Sequence, residues 1–368
     1  MSMKSVSRHH SSSRSCPLRR WLAVAIMLTI PCLAAGASGY EGEFIPFPEV
    51  TIHYNNKDVP NLKQHGSAPL VDFFYTARYY RWRLLSEFLV SDDERDLERL
   101  IVGRVSPSGG QVWLGRNHSD LDQWNRLFHR ETYLQTTIHR PGIIEFEDEG
   151  GILPAHITGL SMEDTLNLGD NDLNYRFTLG LGPILKQQHL VPYDLLKFNS
   201  DSHRLAFTAL VSDQSARDSF KDSGLFLGHA IIPSQANSLS KIKQTILGAY
   251  TNVGLETNLL LRTSVFYVVD DVELLNGSYK KSSFAYAYLQ PEYNLDSTWT
   301  LYGRVELNSG AEDDLYVQQI PAFIRQRALI GARYQMRNSQ VIKFEITELQ
   351  QFGQRFRAVE MQWSAAIQ

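Results

Sequence analysis

The C-terminal part of the chain alternates apolar and polar side chains along four successive stretches. In the first stretch, apolar side chains stand at Leu301, Val305 and Leu307. The charged residues Arg304 and Glu306 occupy intervening positions. A period of two places the two sets on opposite faces of a β-strand, so the pattern predicts a sheet with one apolar and one polar face.

The three stretches that follow keep the same period over residues 327–337, 341–347 and 357–367. Leu329 is the one apolar residue among the polar positions of the second stretch. Strands of about 9–11 residues are long enough to cross a lipid bilayer at a tilt. The lengths and the alternation together favour a transmembrane barrel with an apolar outer face.

A β-sandwich is the alternative fold, because its strands also alternate a core-facing side with a solvated side. Two features favour the barrel. The polar faces carry several full charges per strand, and the apolar faces include the aromatic residues Trp299, Tyr334 and Trp363. Aromatic side chains of this kind are enriched where a membrane meets water.

Strand-like stretches separated by turn signals such as Asn276-Gly277 continue through the rest of the chain. They predict an all-β fold of about 16 antiparallel strands, within a range of roughly 14–18, and closure of so many strands removes the exposed edges. We expect residues 38–70 to be an irregular N-terminal segment and residues 71–368 to form a closed antiparallel transmembrane β-barrel. Residues 116–151 interrupt the strand rhythm and predict a loop inserted into that barrel.

The N-terminus has the pattern of an export signal. Basic residues precede the apolar run 21–30, and Ala35-Gly36-Ala37 follows as a small-residue cleavage pattern. We therefore expect residues 1–37 to be a signal peptide. An uncleaved anchor and a lipoprotein site at Cys32 are the alternatives, and the short apolar run and Pro31 argue against them.

Charge and cysteine content narrow the function further. Five of the 36 basic residues and none of the 40 acidic residues lie in the leader, so the remaining chain has a net charge near −9. This acidic balance argues against a nucleic-acid binder. Both cysteines also lie in the leader, which excludes disulfide and thiol chemistry from the mature chain. The expected location is the bacterial outer membrane, in contact with its lipid, and a homo-oligomer stays open.

Polar strand faces that point inward would line a lumen with charges of both signs. The predicted pore-lining set is Arg81, Arg83, Glu87, Arg176, Arg304, Glu306, Arg327, Arg333, Arg337, Lys343 and Glu345. Rings of Arg and Lys favour anions, so their excess predicts a weak anion preference. The alternative is that opposite charges pair across a narrow lumen and fill it.

The inserted loop contains several aromatic and aliphatic residues, which argues against disorder. We predict that its first part folds into the lumen as a constriction formed by Arg116, His118, Trp124, His129 and Arg130. Histidine and aspartate in this segment are also metal-ligand types. Their spacing matches no zinc motif, and the neighbouring arginines oppose a cation, so no metal and no other cofactor is predicted.

A hydrolase would need a Ser–His pair oriented by a third group. The pairs Ser202-His203 and His118-Ser119 are adjacent only in sequence, and no Gly-x-Ser-x-Gly motif occurs. We therefore expect that the protein is not an enzyme. A non-conducting structural or adhesion barrel with a filled lumen is the other alternative to a channel.

The segment VWLGRNHSDLDQWNRLFHRETYLQTTIHRPGIIEFEDEGGILPAHITGL resembles the matching region of porin-like outer-membrane proteins of Gram-negative bacteria. A strand that ends in Leu114-Gly115-Arg116 before a long loop is more distantly similar to the phosphate-selective porin group. The resemblance covers residues 70–160 and implies a closed barrel in the outer membrane with a water-filled interior. We predict a channel for passive diffusion of small hydrophilic solutes or ions, and the motifs do not identify the solute. Such barrels usually end in an aromatic residue, whereas this sequence ends in Gln368. The departure affects the expected recognition of the C-terminus by the assembly machinery, not the expected barrel.

Overall fold

Sixteen β-strands close into one antiparallel barrel. The computed structural model describes residues 39–59, 62–92, 95–127, 133–146, 150–168, 171–195, 202–215, 221–236, 238–336 and 339–367. The predicted signal peptide lies outside these described residues. The prediction of an all-β, closed antiparallel barrel of about 16 strands is confirmed. Within the described ranges, no helix is both long enough and apolar enough to cross a membrane.

The barrel strands alternate with connections of very different lengths. The strands are β1 (Tyr40–Asn55), β2 (His65–Tyr79), β3 (Trp82–Ser91), β4 (Arg95–Val105), β5 (Gln111–His118), β6 (His156–Leu168), β7 (Asn171–Leu181), β10 (Leu205–Ser215), β11 (Lys221–Pro233), β12 (Leu239–Glu256), β13 (Leu259–Leu274), β14 (Tyr279–Asn294), β15 (Trp299–Ser309), β16 (Gln326–Met336), β17 (Gln340–Gln351) and β18 (Gln354–Ala365). A separate hairpin of β8 (Ile184–Lys186) and β9 (His189–Val191), the short helix α1 (Gln123–Leu127) and two 3₁₀ turns (Ala311–Asp313 and Val317–Gln319) lie in the connections.

The barrel closes where β1 pairs with β18, from Glu49–Ser364 to Asn55–Ala358. The prediction of an irregular segment at 38–70 is wrong for most of this stretch, because β1 and the start of β2 occupy it. Pro46 and Pro48 argue against a strand in the sequence, since proline has no N–H to donate. The carbonyl of Pro46 accepts from the backbone N–H of Ile367, so the nitrogen of Pro46 points to the same side. On that side the pairing of β1 with β18 begins only at Glu49. The prolines therefore cost no ladder hydrogen bond.

The C-terminal strands keep the faces that their alternation predicts. Arg304 and Glu306 are buried inside the barrel, whereas Val305 and Leu307 are exposed on its outer surface. Leu329 is buried on the inner face among polar residues, as the sequence pattern indicates. The outer surface therefore presents a continuous apolar band, the side that hydrocarbon would contact in a membrane.

The two ends of the barrel differ. At one end, here called the turn end, short connections join the strands, such as residues 80–81 and 295–298. An outward-facing aromatic pair, Trp299 and Tyr334, lies there with ring centroids 4.7 Å apart, and Trp82 on β3 is exposed at the same end. At the opposite end, the loop end, the connections include residues 119–155, which join β5 to β6.

Candidate functional site

The connection 119–155 is here called the inner loop, and its described residues 119–127, 133–146 and 150–155 fold into the barrel instead of projecting from it. Its first part is held against β7 and β10. Asp120 accepts a hydrogen bond from the Thr178 hydroxyl at 2.8 Å and forms an ion pair with Arg176 at 3.1 Å. Its backbone N–H donates to the Thr208 hydroxyl. These contacts fix the entry of the loop on one wall of the lumen.

The short helix α1 then carries the loop along the wall to β12 and β14. The indole N–H of Trp124 donates to the phenol of Tyr288 on β14 at 2.8 Å. The amide of Gln123 donates to Asn252 on β12 at 3.0 Å. Both loop side chains are buried, so this half of the lumen is packed rather than open.

Residues 133–146 continue along β14 to β18. Thr136 donates to Glu292 at 2.8 Å, and the backbone N–H of Ile138 donates to Glu345 at 3.1 Å. Lys343 donates to the Thr137 carbonyl at 3.0 Å. The inner loop therefore touches most of the barrel wall, and its backbone supplies many of the partners of the inward-facing charges.

A buried charged cluster joins the loop to β15 and β16. One oxygen of Glu306 accepts from Arg304 and Arg327, each at 2.7 Å. The other oxygen accepts from the Gly142 backbone N–H at 2.7 Å and from the Tyr286 hydroxyl. A buried carboxylate needs such charge-assisted partners, because desolvation otherwise opposes its ionised form.

The same arginines also bind backbone carbonyls of the loop. Arg304 donates to the carbonyls of His139 and Arg140, each at 2.9 Å, and its guanidinium lies 6.0 Å from the Trp124 ring centroid. Arg327 donates to the Arg140 carbonyl and to Glu145, the latter at 3.0 Å. Glu306 and the two arginines therefore bind the loop directly.

His139 lies between two carboxylates near the loop end of this cluster. Its Nδ1 contacts Glu145 at 2.7 Å, and its Nε2 contacts Glu360 on β18. Burial opposes the charged imidazole, but the carboxylates of Glu360 and Glu145 outweigh it and raise the pKa of His139 well above its usual range. Burial also opposes the Glu145 carboxylate, but Arg327 and His139 lower its pKa to about 2.

The pKa shifts predict how the loop anchor responds to pH. The raised pKa of His139 means that its contribution to docking is complete below about pH 6.5 and is lost only as pH rises through the folded value. The contribution of Glu145 is present above about pH 4.5 and is lost as pH falls toward a pKa of about 2. We therefore expect docking of the inner loop to be unchanged from mildly acidic to neutral pH and to weaken in alkaline solution, which would appear as a rise in conductance across the barrel.

Single-channel recording from pH 5 to pH 10 measures this response. His139→Gln removes the titrating ring and should abolish the alkaline step. His53→Gln is the matched control, because His53 lines the same cavity at the loop end as His139 and Glu360 but forms no ion pair with Glu145 within the described ranges. An alkaline step that persists in His139→Gln would show that another group controls the loop.

The predicted constriction residues fall in different places. Arg116 and His118 belong to β5 rather than to the loop, and Arg116 pairs with Asp96 at 3.3 Å. Trp124 lies in α1 within the lumen. His129 and Arg130 lie outside the described residues. The inserted loop itself spans 119–155 rather than 116–151.

The predicted pore-lining residues divide into three groups. Arg304, Glu306, Arg327, Arg333, Lys343 and Glu345 all contact the inner loop or neighbouring wall residues through the bonds of this cluster. Glu87 pairs with Arg99 at 2.6 Å, and Arg176 pairs with Asp120. Arg81 and Arg83 lie at the turn end, where Arg83 bonds the carbonyls of Tyr80 and Trp82. Arg337 lies outside the described residues, and pore lining by this set stays a prediction.

Apolar packing of two loops was not evident from the sequence. Leu121, Ile143 and Leu153 of the inner loop are buried against wall residues such as Phe226 and Phe266. The connection 310–325 also enters this core, with Tyr316, Val317, Ile320 and Phe323 buried there. In the sequence, the length of this connection and its four large apolar side chains indicate that it is buried, because both are unusual in an exposed hairpin connection.

Two cavities remain on either side of the packed region. At the loop end, a cavity of about 390 Å³ is lined by His53, Lys63, Arg327 and Glu360 together with the apolar side chain of Phe356. A second cavity of about 350 Å³ lies toward the turn end, where Glu163, Asp164 and Arg176 line it. The described part of the inner loop therefore lies between a cavity at the loop end and a cavity toward the turn end of the same barrel.

The side chains considered above for a metal site or a hydrolase contact other partners in the structure. Asp122 accepts from the backbone N–H of Trp124, away from Asp120 and its hydroxyl partners. Ligand atoms of Glu98, His118 and His156 do lie within 4.8 Å of one another, but Arg116 approaches His156 to 3.4 Å. His203 faces the Gly182 carbonyl at 2.8 Å, and the Ser119 hydroxyl accepts from Asn125.

Several solved outer-membrane channels have the same fold. The chain is similar to the outer membrane channel DcaP of Acinetobacter baumannii with a TM-score of 0.55 and 12% identity, over 90% of this chain and 99% of that one. It is similar to the anion-selective porin from Comamonas acidovorans with a TM-score of 0.58 and 11% identity, over 89% of this chain and all of that one, 100%. The Salmonella typhi OmpF complex with daunomycin gives a TM-score of 0.59 and 9% identity, over 89% and 98% of the two chains.

No family model matches the sequence, and no curated protein matches it. The resemblance to porins is confirmed at the level of the fold, whereas the more distant similarity to the phosphate-selective group is not confirmed. At identities of 9–12% these structures show the fold alone.

Proposed function

We propose that the protein is an outer-membrane, porin-like channel for passive diffusion of small hydrophilic solutes, with no catalytic step. The observation that carries this proposal is a closed 16-stranded barrel whose outer face is apolar and whose lumen holds the inner loop between two cavities lined partly by charged residues. The fold shared with channels such as DcaP and OmpF supports it. The inner loop fills much of the cross-section, so the proposed conductance is low.

The charges support only a weak ion preference. Arg304 and Arg327 share Glu306, and Arg176 pairs with Asp120, so these arginines are neutralised by carboxylates. Arg333 bonds the Tyr133 carbonyl and Gln335, and it has no carboxylate within ion-pair distance among the described residues. We therefore propose a modest anion preference that depends on Arg333, and the anion-selective neighbour is consistent with it.

Recording of the purified protein in planar bilayers tests the channel directly. We expect small, discrete conductance steps and, in a KCl gradient, a reversal potential on the anion side. Arg333→Gln should move that potential toward zero, whereas Arg355→Gln should leave it unchanged because Arg355 is an exposed partner of Glu348. Cation selectivity of the wild-type channel would contradict the anion preference, and absence of any step would contradict the channel.

A non-conducting barrel is the second candidate, and one observation favours it. The mid-lumen side chains Arg304, Glu306 and Lys343 are almost completely inaccessible to water. A silent wild-type protein that conducts once the inner loop is shortened would identify a plugged barrel rather than an open channel.

A further inference from the structure

Two acidic side chains meet inside the barrel near the loop end, apart from the charged cluster already described. Asp270 is on β13, and Asp314 is in the connection 310–325 between β15 and β16. The two carboxylates interact directly, and both are fully buried. Like charges at such a place repel unless something neutralises them.

The barrel register places two further oxygen-bearing side chains beside Asp270. Gln244 of β12 and Ser282 of β14 are its direct partners across the two neighbouring strands. The Ser282 hydroxyl donates to one oxygen of Asp314 at 2.7 Å. The other oxygen of Asp314 accepts from the backbone N–H groups of Tyr316 and Val317 at 2.8 and 3.2 Å. Asp314 is therefore held in place and directed toward the β12–β14 wall.

The side chains of Asp270 and Gln244 lie next to each other without completing a hydrogen bond of good geometry. Both carboxylate oxygens of Asp270 and both polar atoms of Gln244 lack a partner of hydrogen-bond geometry in the described part of the chain, and both residues are 0% exposed. Their neighbours on the inner face, Val268, Val272 and Ile242, are buried apolar residues. Unsatisfied polar atoms in such a setting are costly and indicate a ligand that the side chains are arranged to receive.

Basic side chains do not supply the missing charge. Neither Asp270 nor Asp314 forms an ion pair with Lys, Arg or His anywhere within the described ranges. Lys280, which pairs with Val272 on the same face, is exposed and donates to the Asp313 carbonyl. By contrast, the Glu98, His118 and His156 group has Arg116 beside it.

We propose that Asp270, Asp314, Gln244 and Ser282 form a binding site for a divalent cation of the calcium type. All four side chains offer oxygen atoms, the ligand that hard cations prefer, and the two carboxylates balance a charge of two. The ion would connect the wall strands β12–β14 to the connection 310–325. That connection also holds the inner loop, because the Tyr316 hydroxyl donates to the Ile152 carbonyl at 2.9 Å.

Terbium provides a direct probe, because Tyr316 is buried next to both carboxylates and can sensitise its emission. After EDTA treatment and removal of the chelator, we expect tyrosine-sensitised emission that saturates at one ion per chain and is displaced by calcium. Asp270→Asn and Asp314→Asn should abolish this signal. Asp271→Asn is the matched control, since Asp271 is exposed on the opposite face of the same strand, and it should bind as the wild type does.

Thermal unfolding in detergent gives an independent readout that does not depend on conductance. Calcium should raise the Tm of the EDTA-treated wild type by several degrees and leave Asp270→Asn unchanged. Asp270→Asn should itself be at least as stable as the metal-free wild type, because the amide removes the repulsion, so misfolding is distinguishable from loss of the site. Two results would overturn the proposal: a terbium signal that survives Asp270→Asn, or a wild-type Tm that ignores calcium and rises only with acid, which would indicate a shared proton.

Discussion

Replacing residues 120–154 with a four-residue Gly-Ser linker is expected to raise single-channel conductance several-fold. The linker can close the chain, because Ser119 and Ala155 are joined by a backbone hydrogen bond of 2.6 Å and His118 pairs directly with His156. The replacement removes α1, the apolar side chains that fill the β11–β14 half and the backbone partners of Arg304 and Lys343. Water would then solvate the exposed wall charges and occupy the lumen.

The measurement is conductance in planar bilayers, with circular dichroism to verify that the strand content is retained. A matched control inserts four Gly-Ser residues after Gly277, an exposed turn position with open space around it. That insertion should leave conductance unchanged. An inner-loop replacement that folds as a barrel and conducts no better than the wild type would mean that the inner loop does not limit the pore.

The faces of the C-terminal strands were predictable because their two sides differ sharply in polarity. Alternation alone assigned Arg304 inward and Val305 outward, and it identified Leu329 as an inward exception. The strands from β11 to β14 gave a weaker signal, since residues such as Ile246 on the inner face and Leu247 on the outer face are both apolar. Side chains of the inner loop cover the inner face of these strands. That face is apolar because of this tertiary contact, which the period of a single strand cannot reveal.

The composition of the site was less predictable than its wall. The sequence indicates that a loop enters the lumen, but the partners depend on the path of its backbone. Gly142 and Glu306, for example, are far apart in sequence and meet through a backbone N–H that any residue carries. Residue types alone likewise cannot show that Asp120 pairs with Arg176. Nor can they show that Asp122, two residues later, accepts from the backbone of α1.

Glu306→Ala is expected to cause the largest loss of stability among single substitutions in the cluster. It removes the one carboxylate that Arg304 and Arg327 share, together with the acceptor of the Gly142 N–H. Removing one partner of a buried ion pair typically costs about 3–5 kcal/mol, because the other charge stays buried without compensation. The inner loop should then detach, so that the unfolding temperature falls and conductance rises together. Glu306→Gln keeps the shape and should show a smaller loss, while Glu348→Ala, a matched truncation at an exposed pair with Arg357, should behave as the wild type. If Glu306→Ala and Glu348→Ala unfold alike, the cluster does not hold the loop.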